Sequence, residues 1–254
     1  MFSVLKARLL QGYRTGKFPH TAPTLPDRFA GVPVLSGGKC AENCTACSEI
    51  CPTDAIIRRG NSPEIDLGKC IFCKKCENVC PQNAVTFTDE YRMGVFSREK
   101  LIRKADEKYE VDYDVDPAIP ELCGKSLKIR QISAGGCAAC ELDFNVLNTL
   151  AWDMGRFGIQ VVASPRHADC RLVTGPVTEN MLLALKKSYD ATPKPSFIIA
   201  CGSCAISGGI YASSPQAHGG LEDILKPDMY VPGCPPHPAV LLDALVKMMK
   251  KHKI

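Results

Sequence analysis

From Leu127 onward the chain switches between two periods of apolar and polar positions. Short apolar runs at Leu127–Ile132, Ile159–Ala163, Cys170–Val173, Phe197–Ala200 and Met229–Val231 predict strands. Glu141–Ala151, Glu179–Tyr189 and Ala239–Lys250 carry apolar residues at helical spacing. Apolar strands separated by amphipathic helices predict a parallel sheet covered on both faces. The N-terminal half lacks this alternation. Phe2, Leu5, Leu9 and Tyr13 fall on one side of a predicted helix, beside Lys6, Arg8 and Arg14. A short basic amphipathic helix can lie on a membrane surface, dock on a partner subunit, or pack on its own domain. Gly12, Gly16, Pro19, Pro23 and Pro26 then break regular structure and predict an extended arm.

Residues 39–90 contain an internal repeat. Cys40-x3-Cys44-x2-Cys47-x3-Cys51-Pro52 is followed by Cys70-x2-Cys73-x2-Cys76-x3-Cys80-Pro81. Each block ends Cys-Pro-x-x-Ala and runs into β-branched residues. This predicts the pseudo-twofold layout of a bacterial two-cluster ferredoxin, with short hairpins and cofactors in place of most of the core. Between Asp106 and Asp116 six acids face one lysine, and Pro117 and Pro120 follow. That stretch has too few apolar residues for a core of its own and predicts a linker. The expected organisation is a helix and arm (1–38), a small α+β two-cluster ferredoxin domain (39–97), an acidic linker (98–125) and an α/β flavodoxin-like parallel-sheet domain (126–254).

Composition narrows the class. A chain of 254 residues with 45% hydrophobic and 23% charged content is long enough for two globular domains. No apolar run approaches the ~18–20 residues that span a bilayer, and the first residues do not read as a secretory signal. The net charge of +4 is concentrated in residues 1–39, where Lys6, Arg8, Arg14, Lys17, Arg28 and Lys39 face Asp27 alone. No arginine-rich face with interleaved aromatics appears, so no nucleic-acid partner is expected. Fifteen cysteines, closely spaced in a chain of this length, point to a cytoplasmic protein whose thiolates bind metal.

The cysteine spacing carries the chemistry. Three closely spaced thiolates hold one 4Fe–4S cubane, and the fourth ligand comes from the other block. Cluster I is expected on Cys40, Cys44, Cys47 and Cys80, and cluster II on Cys70, Cys73, Cys76 and Cys51. The residue inserted between Cys40 and Cys44 predicts a bulged loop. Structural zinc in an adaptor protein is the alternative, but zinc sites usually pair a CxxC with a distant CxxC or histidine pair. A second constellation lies further on. Gly136-Cys137 through Cys140-Glu141, Gly202 through Gly209, and Val231 through Pro236 each follow a predicted strand, where open α/β sheets build their sites. Cys137, Cys140, Cys204 and Cys234 meeting there would hold a third cubane, with Cys201 an alternative to Cys204. Cys123 and Cys170 then read as buried or idle thiols. Glu141 is either a first-turn acid facing the helix dipole or a proton carrier beside a cluster. His167, His218 and His237 have no partner at metal-ligand spacing.

With these motifs in place, residues 1–100, including Leu67-Gly68-Lys69-Cys70-Ile71-Phe72-Cys73, resemble the polyferredoxin subunit of formate hydrogenlyase, a relative of the two-cluster subunit of respiratory complex I. Residues 125–254 resemble the small subunit of membrane-associated NiFe hydrogenases (group 4) and the complex I 20 kDa quinone-oxidoreductase subunit. Val173-Thr174-Gly175-Pro176-Val177-Thr178 adds to the segments already named. The chain thus resembles a fusion of two subunits. In the complex I subunit the first two ligands are adjacent cysteines, whereas Cys137-x2-Cys140 matches the hydrogenases. The resemblance implies that Cys137, Cys140, Cys204 and Cys234 hold the cluster proximal to a NiFe site on a partner large subunit, with Glu141 nearby on a proton path. It also implies membrane-arm subunits, a formate dehydrogenase or soluble ferredoxin as donor, and a position on the inner face of the cell membrane. The alternative partner is a complex I 49 kDa-like subunit, with electrons passing to quinone.

Overall fold

The computed structural model describes residues 2–12, 15–60 and 62–250. Tyr13 and Arg14, which extend the predicted amphipathic helix, lie outside the described residues. Helix α1 (Phe2–Gln11) forms as its spacing predicts, yet none of its residues is buried. Phe2, Leu9 and Leu10 project into solvent, so α1 does not pack on its own domain. The arm that follows is extended and anchored. Phe18 is buried edge-on against Phe157, and Arg156 donates to the Phe18 carbonyl at 2.9 Å. The Gly31 and Val32 amides then donate to the carbonyls of Thr88 and Glu90. The arm therefore straps the cysteine-rich unit to the unit behind it.

Two small antiparallel sheets build the cysteine-rich unit. β1 (Pro33–Leu35) pairs with β4 (Val85–Phe87). β2 (Ile56–Arg59), β3 (Ser62–Asp66) and β5 (Ile102–Lys104) form the other, in the order β2-β3-β5. Helices α2 (Ala46–Glu49) and α3 (Lys75–Val79) each lie inside one cysteine block. Residues 102–104 were expected in the acidic linker but complete this sheet, because Leu101 and Arg103 are buried against it. The rest of that stretch is pinned. Buried Asp112 accepts from the Phe96 amide and Lys100 Nζ, each at 2.8 Å. Val115 is buried ahead of helix α4 (Ala118–Cys123) and Ile119 within it, which an acid count could not reveal.

The C-terminal unit runs β6 (Leu127–Ser133), α5 (Ala139–Val146), β7 (Ile159–Val161), β8 (Cys170–Thr174), α6 (Glu179–Asp190), β9 (Phe197–Cys201), α7 (Ser203–Ser207), β10 (Met229–Val231) and α8 (Pro238–Met248). Every pairing in the sheet is parallel, in the order β10-β9-β8-β6-β7. Counted within the unit this is 2-1-3-4-5, the order of flavodoxin-type doubly wound sheets. Central strands β8 and β9 are buried at every position, as near-continuous apolar runs demand. Helix α8 is buried along its whole length. Val95 and Tyr230 exchange backbone hydrogen bonds of 3.0 and 2.8 Å, so the cysteine-rich unit covers the edge strand β10. One apolar core joins Ile65 and Leu67 of that unit to Val173, Ile198 and Ile206 of the other. The two units are packed together, not merely tethered.

Candidate functional site

The repeat cysteines form two groups of four, each drawing on both blocks. Cys40, Cys44 and Cys47 line a cavity with Cys80. Cys70, Cys73 and Cys76 line another with Cys51. The inserted residue leaves Cys40 within its group. Helices α2 and α3 bury Cys47 and Cys76. The repeated Cys-Pro-x-x-Ala ending acquires a physical role. The Ala55 amide donates to Cys51 Sγ at 3.3 Å and the Ala84 amide to Cys80 Sγ at 3.2 Å, and the Phe72 amide donates to Cys70 Sγ. Such N–H groups stabilise thiolate sulfur and tune a bound cluster.

The third group forms at the carboxyl edge of the parallel sheet. Cys137 lies in the loop between β6 and α5, Cys140 in the first turn of α5, Cys204 in α7 after β9, and Cys234 follows β10. Burial first, and then Cys234, Cys140 and Cys137 beside it, together push the Cys204 thiol up to about 12. Glycines permit the approach. Gly202 has φ +88°, and a Cβ on it would stand 2.7 Å from Cys140 Sγ. A Cβ on Gly209, at φ +53°, would stand 3.0 Å from Cys204 Sγ. Both positions need a residue without a side chain. Cys201 is fully buried and hydrogen-bonds Cys140, which raises Cys201 and lowers Cys140. Cys204, in contrast, shares its surroundings with Cys137, Cys140 and Cys234. Cys123 and Cys170 are fully buried, and Cys123 donates to the Ile119 carbonyl at 2.9 Å.

The donor sets suit iron–sulfur cubanes. Burial, reinforced by neighbouring thiolates of the same group, pushes Cys70 and Cys76 up to about 12. Thiols that oppose one another's ionisation can all ionise only around compensating positive charge, which bound iron supplies. Among the described residues, no three His, Cys, Asp or Glu side chains form a group that could hold a single metal ion. The first two groups instead ring an open space, as a cluster whose irons each take one thiolate requires.

Other sequence candidates take separate places. Glu141, in the first turn of α5, accepts from Thr174 Oγ1 at 2.6 Å. His218 pairs with Glu179 at 2.7 Å. His237 accepts from the Ala239 amide at the start of α8, and burial lowers its pKa. A cleft beside Cys234, with about 690 Å³ of empty space, is lined by Arg28, Phe29, Phe72, Met93 and His237 among others. Sequence reasoning missed Ser203, whose Oγ donates to the Cys70 carbonyl at 2.6 Å. It sits between Gly202 and Cys204, but no spacing marks a serine that reaches another domain.

Comparison with known proteins matches the NADH ubiquinone oxidoreductase 20 Kd subunit family over residues 137–248. The 4Fe-4S binding domain family matches residues 63–86. A probable membrane-bound hydrogenase subunit, mbhJ of Pyrococcus furiosus, is 38% identical over 140 residues, covering 54% of this chain and 84% of that protein. NAD(P)H-quinone oxidoreductase subunit K 2 of Cyanothece sp. is 42% identical over 117 residues, covering 46% of this chain and 45% of its own length. The chain thus spans about half the length of that relative. A chain in the structure of the membrane-bound sulfane sulfur reductase, an archaeal respiratory membrane complex, is 33% identical at a TM-score of 0.45, covering 54% of this chain and 76% of that one.

Proposed function

This chain belongs to the NADH ubiquinone oxidoreductase 20 kDa subunit family, and we propose that it is the electron-transfer subunit of a membrane-associated NiFe hydrogenase complex of the formate hydrogenlyase type. The observation that carries this reading is the gathering of twelve cysteines into three groups, two in the cysteine-rich unit and one at the carboxyl edge of the parallel sheet. In it, Cys40, Cys44, Cys47 and Cys80 hold cluster I, Cys51, Cys70, Cys73 and Cys76 hold cluster II, and Cys137, Cys140, Cys204 and Cys234 hold cluster III. The bound 4Fe–4S clusters supply one-electron chemistry. The chain's own residues hold those clusters, direct amides at their sulfurs and fix their spacing through the shared apolar core.

The Cys137-x2-Cys140 spacing favours a hydrogenase, with the NiFe site on a partner large subunit. Glu141, oriented by Thr174, stands next to the third group and serves as a proton-path residue. Among the described residues no helix is long and apolar enough to cross a membrane, so association with membrane-arm subunits at the inner face would be peripheral. A formate dehydrogenase or a soluble ferredoxin would supply the electrons. Metal analysis of the purified complex tests the cluster reading, with about twelve irons expected on this chain and little zinc. Hydrogen evolution from a reduced viologen tests the hydrogenase assignment.

A second reading rests on the cleft beside Cys234, which is lined by Phe29, Phe72 and Met93 with Arg28 and His237. An apolar cleft with a few polar groups beside a redox site suits a quinone ring, delivered against a 49 kDa-like partner. Quinone reduction without hydrogen evolution would select this alternative.

A further inference from the structure

The joint between the two units carries a buried polar contact, at Ser203, that the packing of apolar side chains does not require. Ser203 is 1% exposed at the start of α7, directly before Cys204. Its hydroxyl lies 2.6 Å from the carbonyl oxygen of Cys70 and 3.2 Å from that of Gly233. One buried hydroxyl therefore touches a segment from each side of the joint: Cys70 belongs to the second cysteine group, while Ser203 and Gly233 precede Cys204 and Cys234 of the third. Four residues on, Ser207 makes a parallel bond to the Gly68 carbonyl at 2.8 Å, but Gly68 carries no thiol. The first cysteine group is held differently, since Arg58 of its own unit donates to the Cys44 carbonyl.

We infer that Ser203 is the positioning residue that couples the second cysteine group to the third, its hydroxyl forming the bonded bridge along which electrons cross between the two units. Electron tunnelling decays less steeply through covalent and hydrogen bonds than through space. The bridge is short: the Cys70 carbonyl, one hydrogen bond, the Ser203 side chain, one peptide link and Cys204. The step is a one-electron transfer in which the donor cluster is oxidised and the acceptor cluster reduced. No bond is made or broken and no proton moves. The same bridge orders the relay, placing the site of Cys51, Cys70, Cys73 and Cys76 next to the sheet-edge site and that of Cys40, Cys44, Cys47 and Cys80 beyond it. This inference rests on the three-cluster reading above.

The test uses the intact complex, mixed with reduced methyl viologen, freeze-quenched and followed by the EPR signal of the third cluster. Ser203→Ala is expected to slow its reduction severalfold while iron content and the midpoint potentials of all clusters stay unaltered. Ser203→Thr, which keeps the hydroxyl, is expected to restore the rate. Ser207→Ala removes the bond to Gly68 and a 3.1 Å bond to the Ser203 carbonyl but leaves the Ser203 hydroxyl bridge in place, and is expected to leave the rate unaltered. Where Ser203→Ala fails to assemble, Ser203→Cys, which offers a weaker donor of similar size, is expected to show the same slowing. An unaltered rate in a fully loaded Ser203 variant lacking the hydroxyl would overturn the inference, and so would equal slowing by Ser207→Ala. Iron well short of three clusters in the unaltered complex would instead overturn the cluster reading, and this inference with it.

Discussion

Lys247, buried in the last helix, donates to the carbonyl oxygen of Gly94 at 2.7 Å, tying α8 to the segment that leaves the cysteine-rich unit. Asp243 lies one turn earlier at 3.4 Å, and burial raises its pKa to about 6 despite the lysine. Lys247→Met should destabilise the protein by about 3 kcal/mol, since it strands a buried carboxyl and leaves a buried carbonyl without its donor. Denaturant unfolding measures this. A double variant that also carries Asp243→Asn should recover part of the loss.

The crossed grouping predicts which cluster each cysteine variant loses. Cys51→Ser should remove the cluster bound by Cys70, Cys73 and Cys76, not that of its own sequence block. Cys80→Ser should remove the other cluster of the pair. EPR of the reduced protein distinguishes the two, and loss of the cluster within the same block would contradict the grouping.

Cys204 and Cys201 stand three residues apart but should behave oppositely. Cys204→Ala is expected to lose about four irons, whereas Cys201→Ala should keep them all and change only the surroundings of Cys140. Gly202→Ala should also lose the third cluster. Its φ of +88° disfavours a side chain, and the new Cβ would stand 2.7 Å from Cys140 Sγ. Iron analysis checks all three variants.

Glu141→Gln tests the proton path. The amide can still receive the Thr174 hydroxyl bond but cannot carry a proton at neutral pH. Hydrogen evolution should fall while iron content and cluster EPR stay unaltered. Full activity in the variant would remove Glu141 from the path.

Acid should loosen the segment after the cysteine-rich unit. Burial works to raise Asp112, but bonds from Lys100 and the Phe96 and Asp114 amides win and hold its pKa below the usual carboxylate value. A depressed folded pKa contributes stability that is present above the unfolded value near ~3.9 and is lost as pH falls through the folded one. Hydrogen exchange at the Phe96 amide should therefore show protection that weakens below about pH 4, after correction for intrinsic rates. Asp112→Ala should reproduce that loss at neutral pH.

Much of this arrangement was legible in local pattern. The alternation after Leu127 marked the positions of β6 to β10 within a few residues, because a strand buried on both faces leaves an unbroken apolar run. The cysteine blocks announced two cluster motifs, because ligand spacing within a loop is a local property. The residues near 102 were harder. Their acidic neighbourhood suggested a linker, while buried Leu101 and Arg103 made them a strand. The acids beyond them are held by Lys100, Phe96 and other partners distant in sequence or invisible to a charge count.

The eight cysteines of the two blocks, and the crossed pairing that their spacing implies, were readable from the sequence alone, which left Cys201 as an alternative to Cys204 at the sheet edge. Tertiary structure decided which thiols face one another across the sheet edge, setting Cys204 among Cys137, Cys140 and Cys234 and burying Cys201 behind Cys140. It also decided that the two units share a core and that Ser203 reaches Cys70. The reason is physical. Ligand spacing within one loop is set by a few bonds, whereas contacts between residues more than a hundred positions apart depend on how whole apolar faces pack.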